Sequence, residues 1–198
     1  MKIGIGTYSL FWEMPGQNPE PLSIAGMIDR ASELGCDVFQ ICDDPRVDEL
    51  TAAVLTELRL RAESLAIDLE LGTRSTRRDH LSRYVDTAEQ LGARTLRSMI
   101  QSDEVAEGIH AAVSELRAVL PRLEASGITL ALETYEQVPT TALLEIIDEL
   151  DSPLVGVCLD PANCVSALEH PRDVVNSCAA RTVNLHVKDF AFARQEGW

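Results

Sequence analysis

A repeated unit of one short β-branched run, one turn and one amphipathic stretch organises almost the whole chain. Seven segments have the strand pattern, namely residues 2–8, 37–42, 67–72, 95–100, 128–135, 155–160 and 182–189. Helical patterns separate them, near residues 22–34, 47–65, 79–91, 103–125, 140–150 and 170–180. Strict alternation of strands and helices is typical of a parallel sheet covered by helices. The sequence therefore predicts an α/β protein, and we expect residues 1–198 to form a single domain.

Side-chain alternation within the strands distinguishes a closed barrel from an open, doubly wound sheet. In one strand Thr129, Ala131 and Glu133 alternate with Leu130 and Leu132, and the sixth and seventh strands follow the same rule. Strands of open α/β sheets are covered on both faces and are continuously hydrophobic. Here one face is apolar and the other is small or polar, as in a barrel whose interior grades into a polar mouth. The pattern favours a (β/α)₈ barrel.

Charge and hydropathy exclude several kinds of partner. The chain carries 17 Lys plus Arg against 32 Asp plus Glu, a formal net charge of −15, without a basic cluster. Nucleic-acid backbones are bound by clustered cations, so we expect no nucleic-acid partner. No apolar run approaches the roughly 20 residues of a membrane span, and the start lacks a signal-like apolar stretch. Five cysteines without a CxxC pair favour reduced thiols, and we expect a cytoplasmic protein without a membrane partner.

Polar residues at the C-terminal ends of successive strands would converge on one mouth of such a barrel, where active sites of this architecture lie. They are Gln40, Glu70, Arg97, Glu133, Asp160, His186 and Lys188. Glu133, Asp160 and His186 come from three consecutive predicted strands. A single residue of this kind more often caps a strand end, but three in an otherwise apolar register favour a site for a divalent metal, Mn²⁺, Mg²⁺, Co²⁺ or Zn²⁺.

Three segments resemble strands five, six and seven of the sugar phosphate isomerase/epimerase superfamily, the xylose isomerase-like TIM barrels. They are Leu132-Glu133-Thr134-Tyr135-Glu136, Cys158-Leu159-Asp160-Pro161-Ala162-Asn163 and Leu185-His186-Val187-Lys188-Asp189. The resemblance extends from Ile3 to the last residue and is most specific over residues 128–198. It implies that Glu133, Asp160 and His186 are metal ligands. Asn163 stands where many members carry histidine, and members acting on sugars also use asparagine there.

The fourth ligand of that family, a glutamate on strand eight, has no counterpart in this chain. The chain stops at Trp198, shortly after the seventh predicted strand, whereas about 250 residues are typical of the fold. We therefore expect a TIM barrel truncated after strand seven, lacking the last βα unit, with strands one and seven unpaired. A fragment, a truncated gene product and a barrel closed by a partner all satisfy this expectation, and the partner alternative includes a homo-oligomer.

Several further residues are candidates for substrate binding. Lys188 points inward by strand parity and is interpreted as a ligand of sugar oxygens, a role that Asn163 would share. Arg97 is a candidate for the same role, although a structural role is the simpler interpretation of this residue. Trp12, in a loop after the first strand, either covers a sugar face or anchors the loop on the barrel rim. Arg74, Arg77 and Arg78 are expected to lie in a solvated loop, with contact to a substrate phosphate as the alternative.

The resemblance implies a divalent-metal-dependent isomerase or epimerase of a keto sugar, sugar phosphate or related polyol. A carboxylate, here Glu133, would remove the α-carbon proton of the polarised substrate to give an enediolate. A dehydratase or another lyase acting through the same enediolate is an alternative on the same scaffold. The second class of alternative is a non-catalytic, sugar-binding or partner-dependent barrel. Which sugar is bound, whether it is phosphorylated and which metal is native are left open by the sequence.

Overall fold

The protein is a single parallel sheet of seven strands, wrapped by helices. The computed structural model describes residues 2–189, 191 and 193. The strands follow one another in space as they do in sequence, each pairing in parallel with the next. They are β1 (Gly4–Gly6), β2 (Val38–Cys42), β3 (Asp68–Gly72), β4 (Thr95–Ser98), β5 (Thr129–Glu133), β6 (Val155–Leu159) and β7 (Thr182–Leu185). The predicted α/β class and all seven predicted strands are confirmed.

Eight α-helices connect and cover these strands. They are α1 (Ile24–Glu33), α2 (Ala52–Ser64), α3 (Arg78–Leu91), α4 (Ser102–Ala106), α5 (Ile109–Ser126), α6 (Thr140–Leu150), α7 (Pro161–Ser166) and α8 (Pro171–Cys178) within the described residues. The side chain of Ser23 caps the first amide groups of α1, and that of Thr51 caps α2. Gly92 and Gly127 close α3 and α5 in the left-handed conformation, with φ of 72° and 63°.

Three local predictions are wrong in detail. The pattern at residues 103–125 forms two helices, α4 and α5, because Gly108 between them has a φ of 102°. Residues 7–13 form a 3₁₀ helix rather than the end of the first strand. The helix α7 was not predicted, although Asp160 followed by Pro161 is a helix start that the sequence does contain, with its side chain accepting from two amide groups. This last difference matters because α7 carries Asn163.

The sheet is curled so that its two ends face one another across a polar interior. The Asn184 amide on β7 donates to both oxygens of Glu70 on β3, at 3.1 and 3.0 Å. Gln40 on β2 donates to the same carboxylate at 2.9 Å. Outward-facing side chains such as Leu71 and Leu130 are buried under the helices and form the core. The predicted division into an apolar outer and a polar inner face is therefore confirmed.

The barrel is open on one side. Strand β1 pairs with β2 and β7 pairs with β6, but β1 and β7 do not pair with each other in the part of the chain that the structure describes. The sequence expectation of a (β/α)₈ barrel with seven strands and two free edges is borne out. Among the same residues, no helix is both long enough and apolar enough to cross a membrane.

Candidate active site at the mouth of the half-barrel

Glu133 lies at the centre of the polar mouth, at the last position of β5. Its side chain is 3% exposed and forms an ion pair with Nε of Arg97 from β4. Its Oε1 accepts a hydrogen bond from Nδ2 of Asn163 at 2.9 Å and lies 3.5 Å from Nδ1 of His186. A charged carboxylate is stable in so buried a place only because cations and donors surround it. Its position is therefore fixed from three neighbouring elements.

The two carboxylate oxygens of Asp160, directly after β6, have different roles: one caps α7 and the other contacts cationic groups in the mouth. Oδ1 accepts from the amides of Ala162 and Asn163 and so caps α7. Oδ2 lies 2.5 Å from Nζ of Lys188 and 3.7 Å from Nδ1 of His186. Burial alone would raise the pKa of Asp160, but these two cationic neighbours and the cap lower it to about 2. The carboxylate is therefore ionised at neutral pH.

His186 links the two carboxylates to the opposite side of the barrel. While Nδ1 faces Glu133 and Asp160, Nε2 lies 3.2 Å from Oε1 of Gln40 on β2. Burial alone would lower the pKa of His186, yet its contacts with Asp160 and the groups beside it raise it to about 12. The imidazole therefore carries a proton between two anions, in a place that suits a cation.

Donor atoms suitable for a metal ion converge at this place. Glu133, Cys158 and His186 offer one ligand atom each, and these three atoms all lie within 4.8 Å of one another. Oε2 of Glu133 and Oδ2 of Asp160 are buried and form ion pairs, but neither has a donor at hydrogen-bond angles. A divalent cation would satisfy such oxygens and would replace the proton of His186. Asp160, the other ligand that the resemblance implies, is not part of this close group, and its Oδ2 lies 3.7 Å from Nδ1 of His186. Carboxylate, imidazole and thiolate groups are all ligands of divalent metals, so the residues fit a metal.

Most of the sequence-predicted site residues meet here. Lys188 Nζ donates to Oδ1 of Asn163 at 2.9 Å, which links both residues to the carboxylate cluster. The side chain of Arg97 is 5% exposed and forms ion pairs with Glu133 and Asp43, and its role as a ligand of sugar oxygens stays a prediction. Trp12 is not brought to the cluster: it is 76% exposed, packs edge-on against Phe11 and does not line the cavity.

One residue of the mouth was missed by the sequence analysis. Asp43, after β2, accepts from Nη1 of Arg97 at 3.1 Å and from Nε of Arg74 at 3.1 Å. The backbone of Asp43 has a φ of 50°, the left-handed region that aspartate tolerates better than most residues. Arg74 lies in a half-exposed loop, as expected, and its guanidinium group contacts this carboxylate at the cavity edge. An aspartate just after a strand end was the available signal.

The family follows from comparison with known sequences. The sequence model of the xylose isomerase-like TIM barrel matches residues 28–197. The chain belongs to this family. The 3-oxo-isoapionate decarboxylase of Pectobacterium atrosepticum is 50% identical over all 198 residues, which correspond to 72% of its length. The resemblance seen in the sequence is thereby confirmed, and a decarboxylase is placed among the relatives of this xylose isomerase-like chain.

Solved structures agree with this family at the level of the fold. A D-psicose 3-epimerase, crystallised in the presence of D-fructose, superposes with a TM-score of 0.77 at 16% identity, covering 94% of this chain and 72% of that one. The probable 3-DHS dehydratase AsbF of Bacillus anthracis gives a TM-score of 0.75 at 14% identity, covering 97% and 74%. The xylose isomerase-like architecture thus occurs in proteins described as an epimerase, a dehydratase and a decarboxylase.

Proposed function

We propose that the protein decarboxylates a sugar acid that carries a ketone β to its carboxylate. The observation that carries this proposal is the 50% identity, over the whole chain, to a decarboxylase whose named substrate is a 3-oxo acid. A 3-oxo acid has its ketone in the β position, which is the arrangement that allows carbon dioxide to leave. The sequence-based alternative of a lyase on this scaffold is therefore preferred to the isomerase.

The chemistry of such a substrate suits a mouth whose residues fit a divalent cation. When the bond between the α-carbon and the carboxylate breaks, carbon dioxide leaves and the electron pair is delocalised onto the keto oxygen. The resulting enolate, an enediolate where the α-carbon carries a hydroxyl group, takes up one proton at that carbon. No base is needed for the cleavage itself. The demand on the protein is to stabilise negative charge on one oxygen atom.

Glu133, Asp160 and His186 are the residues that would hold a divalent cation. A cation bound by them would act as a Lewis acid toward the keto oxygen. Asp160 is held ready for this role by the two amide groups at the start of α7. Glu133 is held by Arg97 and Asn163, so neither carboxylate has to be reorganised before it binds.

Lys188 and Asn163 are the proposed ligands of substrate oxygens. The ammonium group of Lys188 is 49% exposed at the mouth and is positioned by Asp160 and Asn163. It retains a donor for a substrate hydroxyl or for the developing oxyanion, because an ammonium group has three N–H donors. The proposed partner of the protein is therefore a small sugar-derived acid.

Isomerisation or epimerisation of a keto sugar is the second candidate. It is favoured by Glu133, whose buried carboxylate lies 3.5 Å from His186 and is chemically able to accept an α-carbon proton. The two candidates share an enediolate and differ in how it arises. The isomerase requires a base to remove a proton, whereas the decarboxylase obtains the electron pair from carbon–carbon cleavage.

Carbon dioxide release distinguishes the two candidates. The purified protein is loaded with Mn²⁺ and given a carboxyl-¹³C-labelled five-carbon 3-oxo sugar acid, with the spontaneous loss measured in parallel without protein. In separate samples, ketoses and ketose phosphates are incubated in D₂O. Labelled carbon dioxide released faster than the spontaneous rate supports the decarboxylase. Deuterium exchange of ketoses without carbon dioxide release would instead establish the isomerase and exclude the decarboxylase.

A further inference from the structure

Arg74 turns away from the other two arginines of its loop and toward the cavity. Arg77 pairs with Glu107, and Arg78 pairs with Asp79 on the exterior. Arg74 lines the same cavity as Glu133, His186 and Lys188. Because the loop after β3 lies at the C-terminal end of the sheet, its guanidinium group is on the side where substrates of this architecture bind.

The guanidinium group of Arg74 is held in place by residues from two other loops. Its Nε donates to Oδ2 of Asp43 at 3.1 Å, and its Nη2 donates to the hydroxyl of Tyr8 at 2.9 Å. These two bonds use two of its five N–H donors. The Arg74 side chain is 52% exposed, so the remaining donors face open space. A planar donor group fixed in this way is prepared to bind a planar anion.

The carboxylate beside Arg74 is shared with a second guanidinium group. Asp43 accepts from Arg74 and from Arg97, and Arg97 pairs in addition with Glu133. Tyr8 accepts from Arg74 and therefore has its own O–H available to donate. An anion placed beside Arg74 and Tyr8 would receive hydrogen bonds from both.

We propose that Arg74 and Tyr8 form the subsite for the substrate carboxylate, with Asp43 as the positioning residue. The inference rests on the proposed function, in which the substrate is an acid. It assigns the specificity for acids over neutral sugars to a loop outside the metal-binding cluster. A carboxylate is favoured over a phosphate because the site offers one planar fork and one hydroxyl group rather than several cations or a row of amide groups.

The test is a binding measurement that does not need turnover. Calorimetric titrations with threonate, threitol and erythritol 4-phosphate are performed at one fixed Mn²⁺ concentration. We expect threonate to bind more tightly than threitol, and Arg74→Ala to weaken threonate at least about tenfold, the usual scale for a hydrogen-bonded charge. Threitol affinity should not change. Arg74→Lys should restore part of the loss, and Arg78→Ala, which removes the same charge nearby, should have no effect.

Each alternative result has a definite meaning. Threonate affinity that is absent in the wild type, or unchanged in Arg74→Ala, overturns the subsite. Tighter, Arg74-dependent binding of the phosphate ester overturns the assignment to a carboxylate. Equal weakening of threitol, or a lowered melting temperature of Arg74→Ala, would indicate a general disturbance of the structure. Arg74→Lys keeps the positive charge, so its affinity for threonate distinguishes such a disturbance from loss of the carboxylate contact. Threonate affinity that Arg74→Lys does not restore overturns the subsite. If threonate binding depends on Arg74 while no 3-oxo acid is decarboxylated, the proposed function fails and the subsite stands.

Turnover gives a second, independent signature of the subsite. The carboxylate loses its charge as carbon dioxide forms, so a guanidinium group bound to it stabilises the ground state more than the transition state. For an acidic substrate, Arg74→Ala should therefore raise KM, with kcat retained or increased. A loss confined to kcat would assign Arg74 to the chemical step and contradict its role in recognition.

Discussion

Arg97 is the residue on which the arrangement of the mouth most depends. Its guanidinium group is almost fully buried and pairs with Glu133 and Asp43, which come from two other strand ends. Burial disfavours its charge, but the surrounding anionic groups outweigh that effect and raise the pKa of Arg97 above its usual value. Strand parity correctly placed Arg97 at the mouth, whereas its assignment as a ligand of sugar oxygens stays a prediction.

Arg97→Met should lower the free energy of unfolding by about 3–5 kcal/mol, because it removes the buried guanidinium group shared by Glu133 and Asp43 and leaves Asp43 paired with Arg74 alone. Urea denaturation measures this change. Arg94→Met is the matched control: its guanidinium group donates to the carbonyl of Ser126 at the exposed end of the sheet, and its loss should cost under about 1 kcal/mol. An equal loss of unfolding free energy in the two variants would mean that the buried ion pairs of Arg97 stabilise the protein no more than the exposed hydrogen bond of Arg94.

For the second candidate, isomerisation of a keto sugar, Glu133 is the base, and Glu133→Gln should strongly lower turnover while leaving substrate binding largely intact. Glutamine keeps the size and one acceptor oxygen of Glu133 but loses its negative charge and its basicity. Removing a general base typically costs about 10²–10⁴ in rate. The measurement is deuterium incorporation α to the carbonyl group in D₂O under saturating Mn²⁺. The exposed Glu136→Gln on the same loop serves as control, and undiminished incorporation in Glu133→Gln would show that another group moves the proton.

At the scale of elements, the sequence predicted strands better than the loops between them. Alternation within each strand is a strong signal, so the inward position of Glu133 was predictable from its neighbours alone. The loop sequences have no such alternation of apolar and polar residues. The helix α7 is only six residues long and was missed, although its local start signal, Asp160 before Pro161, is present in the sequence. The turn of Arg74 toward the cavity depends on contacts with residues distant in sequence, which the local pattern does not contain.

The position of β7 depends on a glycine in β6. A Cβ atom at Gly156 would lie 2.6 Å from Cγ1 of Val183 and 2.7 Å from the carbonyl oxygen of Arg181. Gly156→Ala should therefore push β7 outward, carry His186 with it, weaken Mn²⁺ binding and lower the free energy of unfolding by about 1–3 kcal/mol. Calorimetric metal titration and urea denaturation measure the two effects.

Gly26→Ala is the matched control for this substitution. In α1 the added Cβ atom would meet only ordinary contacts, at 3.4 Å from Cδ2 of Leu22 and Oγ of Ser23. Replacing a helical glycine with alanine should raise stability by about 0.5–1 kcal/mol and leave metal affinity unchanged. If Gly156→Ala retains full metal affinity, the close approach of β6 and β7 does not determine where His186 lies.

At the scale of the whole molecule, the open side of the barrel is the most unusual feature. Within the residues that the structure describes, β1 and β7 each pair on one side only, and the other edge exposes backbone hydrogen-bonding groups that another chain can use. The outward side of the β7 segment is also apolar: Val183, Leu185 and Val187 are 45%, 52% and 84% exposed. In closed barrels such side chains are covered by helices. This edge is therefore the expected surface for self-association.

We expect the protein to associate in a concentration-dependent manner, and Leu185→Glu to shift it toward the monomer. A charge at the edge makes burial of that face costly. Light scattering coupled to size-exclusion chromatography measures the mass over a range of concentrations. Leu60→Glu on α2 adds the same charge at another exposed leucine, 54% accessible, and should have no effect. A wild-type protein that stays monomeric at every concentration would contradict the expectation.

The hydrogen bonds that cross the interior also have a consequence for folding kinetics. Asn184 reaches Glu70 across 114 residues, and His186 reaches Gln40 across 146. Contacts between such distant parts of a chain close large loops and form slowly. During synthesis the first six strands leave the ribosome before β7 exists, so the mouth cannot be assembled until β7 has been synthesised. Recovery of metal affinity after dilution from denaturant should accordingly lag behind the recovery of helical circular dichroism.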